Sequence, residues 1–384
     1  MSAQGRGAEE HPGTPQATAT PQATATAEAA ADGASAGMAD TGAGSPAGAP
    51  ARVAEDSAGR PGRWRRIVET PEIGVVAACV VVFLALTLAK SSFAGAVNLQ
   101  GMGADLAQYG LIAIGESLVI LTGGIDLSVG ALLGTAVILM SWFNVRAGLP
   151  AGVAVLLTLA ICGAIGWVHG MAVTRLKMAP FVVTLVTYTV AQGVTLAITQ
   201  GTSITGISGF FSNVGQTYLA QIPVPLVLFA IVAVAAWFFL ERTYAGRQVY
   251  AVGGNPEAAR LAGIRGDRRV VSMYVTSSLL SGFAAIMVLG RMGVGSASGV
   301  GVGWELSAIA AAVIGGVSLV GGQGRILGIV AGAILLELIN NGLTTLQINA
   351  DYTNIVLGCV LAVAITADRL RAKRASARGA SGPS

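Results

Sequence analysis

Five ionisable side chains lie inside or at the edge of long apolar stretches of the chain, where a charge is costly and usually has a role. They are Glu116, Asp126, His169, Glu305 and Glu337. A carboxylate in such a place can bind a coupling ion, accept hydrogen bonds from a polar solute or hold two helices together. The residues that we expect to line a pathway for a small polar solute are Glu116, Asp126, Glu337 and Asn340, which lies one helical turn beyond Glu337.

Each of these side chains also has a structural interpretation. Asp126 follows two glycines and can act as the cap of the next helix. Glu305 begins a helix, where the helix dipole alone accounts for its charge. Glu116 and Glu337 can join neighbouring helices, and His169, near a helix end, is most simply a packing histidine. For the four carboxylates the sequence leaves both interpretations open.

The chain lacks the residue clusters that enzymatic chemistry would need. Its two histidines, His11 and His169, provide no ligand cluster and no base beside a nucleophile. Cys79, Cys162 and Cys359 lie in separate apolar stretches, so they indicate neither a disulfide framework nor a metal site. No Gly-x-x-x-x-Gly-Lys-Ser/Thr phosphate-binding loop occurs. We therefore expect no catalytic residue, no metal and no cofactor bound by this chain.

The elements that hold these residues are membrane-spanning helices. Apolar residues make up 53% of the 384 residues and charged residues only 11%, which indicates a lipid rather than an aqueous environment. Apolar stretches of suitable length recur from residue 73, and helices are required because lipid cannot satisfy open backbone groups. The expected spans are 73–89, 103–121, 127–144, 151–173, 180–200, 223–240, 270–290, 305–320, 326–347 and 352–367. We therefore predict an all-α polytopic membrane protein of about ten transmembrane helices, in which 305–320 is short enough to be re-entrant or tilted.

The distribution of basic residues predicts the orientation of these spans, because Lys and Arg are enriched on the cytoplasmic side. With both termini inside, all 23 basic residues except Lys90, Arg146 and Arg291 lie on the cytoplasmic side. The formal charge of +4 does not indicate a nucleic-acid partner, because the basic clusters contain no interleaved aromatic residues.

Two segments outside the spans are expected to be tails. Residues 1–62 are rich in Ala, Gly, Thr and Pro and contain Pro-Gln-Ala-Thr-Ala-Thr twice in tandem, so we predict a disordered cytoplasmic N-terminal tail. It lacks the basic and apolar regions of a signal peptide. Residues 63–368 form the predicted transmembrane domain, with a cytoplasmic loop at 242–269, and 369–384 form a basic cytoplasmic C-terminal tail.

The cytoplasmic loop contains the signals of a complete short helix at 256–262. Asn255 can cap the free N–H groups, Pro256 suits the first helical position, and Glu257 complements the helix dipole. Gly263 can adopt the left-handed conformation that ends a helix. The small side chains of this helix are Ala258, Ala259 and Ala262. They form a face that fits a groove in another protein, although a helix that only joins two spans would have the same caps.

Glycine breaks also interrupt the predicted helices, at Gly123-Gly124 and at Gly321-Gly322-Gln323-Gly324. Irregular backbone at membrane depth is tolerated only where protein buries it or where it lines a cavity. Pairs of glycines four residues apart predict close helix packing; they are Gly130 and Gly134, Gly166 and Gly170, and Gly328 and Gly332. The breaks favour a transport function.

Three sequence blocks stand out between about 105 and 368. They are Leu-Thr-Gly-Gly-Ile-Asp-Leu-Ser-Val-Gly at 121–130, the loop 253–264, and Glu305-Leu306 followed by Ala-Ile-Ala-Ala-Ala-Val-Ile-Gly-Gly at 308–316, which extends to Gly-Gly-Gln-Gly at 321–324 and Asn-Asn-Gly-Leu at 340–343. In this order they resemble the ribose-type permeases of bacterial ABC importers, within the branched-chain amino acid/ribose permease superfamily.

This resemblance implies a type II ABC importer-like permease in the inner membrane, with a path for a monosaccharide or similar small polar solute. It implies a second permease copy or paralogue, cytoplasmic ATPase subunits that use the ATP, and an extracytoplasmic sugar-binding protein. The short loop helix resembles the coupling helix that docks on the ATPase. The residues that this resemblance assigns to coupling are Asn255, Pro256, Glu257, Ala258, Ala259, Arg260 and Gly263.

Two positions differ from the family pattern and leave the solute open. Glu116 stands where such permeases more often have Met or Gln, and Ser307 stands where Asp commonly follows Glu-Leu. An ion-coupled secondary transporter that uses Glu116 and Glu337 is the alternative function, although no inverted repeat supports it. Ribose, xylose, galactose, inositol and autoinducer-type ligands all fit the sequence.

Overall fold

The computed structural model describes residues 71–297 and 299–348, together with isolated positions between 352 and 366. Within this part the chain forms a helical bundle with one small antiparallel ribbon, in which Tyr218 pairs with Pro223 and Leu219 with Ile222. The predicted tails, 1–62 and 369–384, and most of the span predicted at 352–367 lie outside the described residues.

The elements follow one another in a simple order. They are α1 (Pro71–Ala89), α2 (Ala96–Leu121), α3 (Val129–Ser141), α4 (Ala151–Thr174), α5 (Pro180–Thr199), α6 (Gly209–Gln216), β1 (Tyr218–Leu219), β2 (Ile222–Pro223), α7 (Val224–Arg242), α8 (Tyr244–Gly254), α9 (Pro256–Leu261), α10 (Gly266–Met292), α11 (Trp304–Ile314) and α12 (Ile326–Thr345). A 3-10 turn at Ser91–Ala94 precedes α2, and a π-helical turn at Trp142–Arg146 extends α3.

Eight of the described helices are long and apolar enough to cross a membrane, namely α1, α2, α3 with its π-helical turn, α4, α5, α7, α10 and α12. They coincide with eight of the predicted spans, so the prediction of an all-α polytopic membrane protein is confirmed. We call the end of the bundle that carries α8 and α9 the arginine-rich end, and the other the opposite end.

The span predicted at 305–320 is wrong as a complete crossing. Its helix, α11, has only 11 residues, or about 16 Å. The two glycines that follow end the helix, and Gly316 has a φ of +88°, which other residues rarely adopt. The structure shows one short apolar helix here, preceded by a loop that returns into the bundle, and the expectation that this segment is short is confirmed.

The loop between α10 and α11, described at 293–297 and 299–303, returns from the end of α10 into the bundle. The Val300 carbonyl faces Gly134 of α3, and the Gly301 carbonyl faces Gly130. Gly130 lies 16 residues before Arg146, or about 24 Å along the helix. The α11 helix therefore begins deep in the bundle, and the predicted close approach at Gly130 and Gly134 serves a loop rather than a helix.

The α2 helix is the centre of the bundle, because it packs against α7, α10, α11 and α12. Every residue from Gly110 to Leu121 is buried, as expected for a helix that is apolar on all sides. Gly328 and Gly332 of α12 approach the carbonyls of Gly315 and Ala311 so closely that a Cβ would overlap them. This contact between α12 and α11 confirms the packing role predicted for that glycine pair.

Candidate functional site

The loop at the arginine-rich end contains two helices, of which the sequence predicted one. The unforeseen helix, α8, starts at a Thr243 cap, whose Oγ1 accepts the Gly246 N–H at 3.0 Å. The predicted helix, α9, ends one residue early at Leu261, and Asn255 Oδ1 accepts the Ala258 N–H at 2.9 Å. Gly263 has a φ of +77°. The capped helix expected from local signals is therefore confirmed.

The outer face of α9 is exposed and polar at its first turn. Arg260 Nε donates a hydrogen bond to Glu257 Oε2 at 3.0 Å, and both side chains lie in solvent. This hydrogen bond lowers the pKa of Glu257 and raises the pKa of Arg260. Ala258 is exposed and Leu261 is 75% exposed, whereas Ala259 is buried against the rest of the chain. The face available to a partner therefore includes Ala258 and Leu261 but not the Ala259 side chain.

The inner side of the same loop is joined to the helix breaks by backbone contacts. The Gly322 N–H donates to the Leu121 carbonyl at 3.0 Å, and Gly253 packs directly against both groups. Tyr250 Oη donates to the Gly324 carbonyl at 3.0 Å. We call this contact of Leu121, Gly253 and Gly322 the glycine junction. It joins three segments that are far apart in the sequence, which local signals could not reveal.

Glu116 and Asp126 form a buried cluster where α2, the break that follows it and α10 meet. The Asp126 N–H donates to Glu116 Oε1 at 3.1 Å. Asp126 Oδ1 accepts the Ser128 N–H at 3.0 Å, and Oδ2 accepts the Ser277 hydroxyl at 3.3 Å. Both carboxylates are fully buried. This pair therefore connects the break between α2 and α3 to α10.

His169 lies beside this cluster. Its Nε2 lies 2.7 Å from the Thr187 Oγ1 of α5, and its ring centre is 6.1 Å from that of Tyr274. The side chain is only 1% exposed. These contacts are those of the packing histidine that the sequence favoured.

Glu337 and Asn340 lie in a different place, at a small cavity of about 10 Å³ between α2, α11 and α12. Tyr109 and Ser307 also line this cavity, and the Tyr109 ring stacks at 4.3 Å from Trp304. One buried polar atom of its lining, Asn340 Oδ1, has no hydrogen-bond partner among the described residues. The cavity can therefore hold about one water.

A wide open hollow of about 610 Å³ lies nearer the opposite end and is lined by Asp105 and Arg291. The Arg291 Nη2 donates to Asp105 Oδ2 at 3.0 Å. Asn98 Nδ2 donates to Asn341 Oδ1 at 2.8 Å at the same rim. The sequence analysis missed Asp105 and Tyr109, although their spacing from Glu116 places all three on one face of α2.

The four predicted pathway residues are therefore divided between two places. Tyr109, at the Glu337 cavity, precedes Glu116 by seven residues, which is about 10 Å along α2. Glu116 and Asp126 form a closed cluster, and Glu337 and Asn340 line a cavity. Glu305 begins α11 as expected, buried beside Gly130 of α3. The described residues contain no group of three or more His, Cys, Asp or Glu side chains that could hold a metal ion.

Comparison with known proteins identifies the family. Residues 98–365 match the family described as branched-chain amino acid transport system / permease component. The chain is 37% identical over 300 residues to the "Ribose import permease protein RbsC" of Bacillus subtilis. The aligned region covers 78% of this chain and 92% of the relative.

Two Escherichia coli proteins are also similar. The "D-allose transport system permease protein AlsC" is 36% identical over 68% of this chain and 80% of its own length. The "Galactose/methyl galactoside import permease protein MglC" is 30% identical over 79% of this chain and 95% of its own length. The comparison with solved structures gave no match. The resemblance found in the sequence blocks is confirmed, and the chain belongs to the branched-chain amino acid transport system / permease component family of multi-pass membrane permeases.

Proposed function

We propose that this chain is the membrane-spanning permease subunit of an ATP-binding cassette importer for a monosaccharide. The observation that carries the proposal is the length of the match, since residues 98–365 contain all three sequence blocks. Relatives named for import of ribose, allose and galactose are 30% to 37% identical over most of the chain. The chain itself then binds no cofactor and catalyses no reaction, and a partner hydrolyses the ATP.

The proposed partners follow from the two ends of the bundle. At the arginine-rich end, which the distribution of basic residues assigns to the cytoplasm, the exposed helix α9 would dock on an ATPase subunit. At the opposite end, the hollow beside Asp105 and Arg291 would face the sugar-binding protein. A second permease copy or paralogue would complete the membrane part. Both termini are proposed to be cytoplasmic.

The proposed route for the sugar leads from the outer hollow to the Glu337 cavity. Carboxylate, amide and phenol groups are suitable partners for sugar hydroxyls, and Glu337, Asn340 and Tyr109 supply one of each. At about 10 Å³ the cavity has room for about one water, far below the roughly 300 to 1,000 Å³ of most ligand sites, so α11 or α12 must move during passage. Glu116 and Asp126 remain predicted pathway residues, but their hydrogen bonds favour a role in holding the break between α2 and α3.

Uptake of radiolabelled D-ribose, D-allose, D-fructose and D-galactose tests the function. The chain would be expressed with its ATPase and binding-protein partners in cells that lack their own importers. We expect uptake of at least one sugar that requires an intact ATPase. Uptake that persists without the ATPase and stops when the ion gradient is removed would instead support the secondary transporter.

Two substitutions at the cavity test the route in the same assay. Glu337→Leu and Asn340→Leu each remove one polar partner and should lower uptake about tenfold at unchanged membrane level, as expected for the loss of a hydrogen bond worth about 1–3 kcal/mol. Thr344→Val is the matched control, because Thr344 lies one turn further on α12 and donates only to the Asn340 carbonyl. Normal uptake by both cavity variants would exclude this route.

A further inference from the structure

An apolar groove opens between α7 and α10 on the side of the bundle. Both helices pack on α2, and Leu118 of α2 forms the floor of the space between them. On the α7 side the groove is lined by the small side chains of Ala235 and Ala236. On the α10 side it is lined by Met273 and Leu280. The groove is open on one side and has a volume of about 360 Å³. In a membrane, such an apolar space needs an apolar occupant, because water gains no hydrogen bonds there.

The hydroxyl groups of the groove wall need no hydrogen-bond partner from a molecule in the groove. Ser272 Oγ donates to the Arg269 carbonyl at 2.8 Å, and Thr276 Oγ1 donates to the Ser272 carbonyl at 2.8 Å. Both hydroxyls are thus satisfied within α10, and they present mainly carbon to the groove. The wall is suited to a hydrocarbon chain.

Arg269 gives the groove one charged end. Its Nε donates to Gln248 Oε1 at 2.6 Å, and no carboxylate of the described residues forms an ion pair with it. The surrounding segment, 241–269, has six arginines and three carboxylates, Glu241, Glu257 and Asp267. The open end of the groove is therefore positively charged and complements an anion.

The length of the groove fits one leaflet of a bilayer. Arg269 and Leu280, which mark its two ends on α10, are 11 residues apart, or about 16 Å along the helix. Half of the hydrocarbon core is about 15 Å thick. A phosphate at Arg269 thus places an acyl chain along the whole groove.

We propose that this groove binds an anionic phospholipid, with one acyl chain between α7 and α10 and the phosphate on Arg269. Basic pockets between membrane helices are known to select anionic headgroups. The proposal is independent of the transported solute. A bound lipid would stabilise the contact of α7 and α10 with α2, next to the loop that carries α9.

Lipid retention by the purified full-length chain tests the proposal. The protein in detergent would be titrated with phosphatidylglycerol or phosphatidylcholine of identical acyl chains, and bound lipid counted by native mass spectrometry. We expect phosphatidylglycerol to be retained about fivefold better, the effect of one arginine near a membrane surface. Arg269→Gln should abolish this preference. Arg268→Gln is the matched control, because it removes the same charge one position earlier from an exposed residue outside the groove.

A second measurement, photo-cross-linking of a lipid, uses the wild-type chain and therefore does not require that a variant folds. A phosphatidylglycerol with a photoactivatable diazirine in its acyl chain should cross-link to peptides of α7 and α10, both in the isolated chain and in the assembled transporter. Equal retention of the two lipids by wild type, or an unchanged preference in Arg269→Gln, would overturn the headgroup assignment. Cross-links spread evenly over all helices, or absent from the groove once the partners bind, would show that lipid does not occupy it.

Discussion

The two sides of the loop at the arginine-rich end differ in how they are held. The outer helix α9 is capped by its own Asn255 and exposes Ala258 and Leu261. Gly253, only three residues before Pro256, is instead enclosed by the backbone of Leu121 and Gly322. An element that is locally stable and exposed suits docking, whereas one enclosed by backbone suits the transfer of force. We propose that a movement of α9 is transmitted through Gly253 to the helix breaks.

The glycine junction then leads to the buried carboxylates. Leu121 is the last residue of α2, and the break that follows it, 122–128, contains Asp126, whose N–H donates to Glu116. Asp126 also accepts the Ser277 hydroxyl of α10. A displacement at Gly253 therefore has a continuous chain of contacts into α2, α3 and α10. Such contacts establish coupling only when substitutions along them change it, and the variants below make that test.

The largest effect is expected for Gly253→Ala. A Cβ at Gly253 would overlap the Leu121 carbonyl and lie 2.7 Å from the Gly322 nitrogen, and neither backbone group can move without shifting its segment. Overpacking of this kind costs about 1–3 kcal/mol. We expect a lower unfolding temperature in detergent and little or no sugar uptake.

Gly254→Ala is the control for this prediction. The nearest atom to a Cβ at Gly254 is 4.0 Å away, and the substitution has the same effect on helix propensity. It should preserve stability and uptake. If the two variants had the same unfolding temperature and the same uptake, the close contact of Gly253 with Leu121 and Gly322 would not matter for stability or transport.

A smaller and more selective effect is expected for Ala258→Trp. Ala258 is exposed on α9, so the indole should leave the fold intact and obstruct only a partner. We expect uptake to be lost and copurification of the ATPase to weaken, while the unfolding temperature of the isolated permease stays unchanged. Ala147→Trp adds the same volume at an exposed site of the opposite end and should leave copurification of the ATPase unchanged. Normal ATPase recovery with Ala258→Trp would mean that α9 is not the docking element.

The smallest effect is expected for Glu116→Gln. The amide oxygen can still accept the Asp126 N–H, so unfolding temperature and uptake should stay close to those of wild type. Glu116→Leu removes the acceptor and leaves that buried N–H unpaired, which should cost about 1–3 kcal/mol. Reduced uptake by Glu116→Gln at normal stability would instead place Glu116 on the pathway.

Local signals in the sequence predicted much of this fold. Apolar stretches of sufficient length located eight spans that the structure contains. The α9 helix followed from Asn255, Pro256 and Gly263, because caps act on neighbouring backbone groups and need no distant partner. The family was likewise evident from the order of three short blocks, which the match over 98–365 confirmed.

Other features depended on contacts between distant segments. The sequence showed an apolar run at 305–320, but only packing against α3 and α12 shows that α11 is short and begins deep in the bundle. The apparent small-residue face of α9 proved divided, because Ala259 turns inward. Both outcomes depend on which surface another helix covers, and hydropathy does not encode that.

The candidate site divides in the same way. The chemical type of Glu116, Asp126, Glu337 and Asn340 marked them as unusual in an apolar chain, because the cost of burying a polar group is a property of the group itself. Their separation into a closed cluster and a cavity was decided by the tertiary structure, which brought Ser277 to Asp126 and Tyr109 to Glu337. The cost of burying such a group can be read from the sequence. The hydrogen-bond partners that offset this cost come from distant parts of the chain, so they appear only in the tertiary structure.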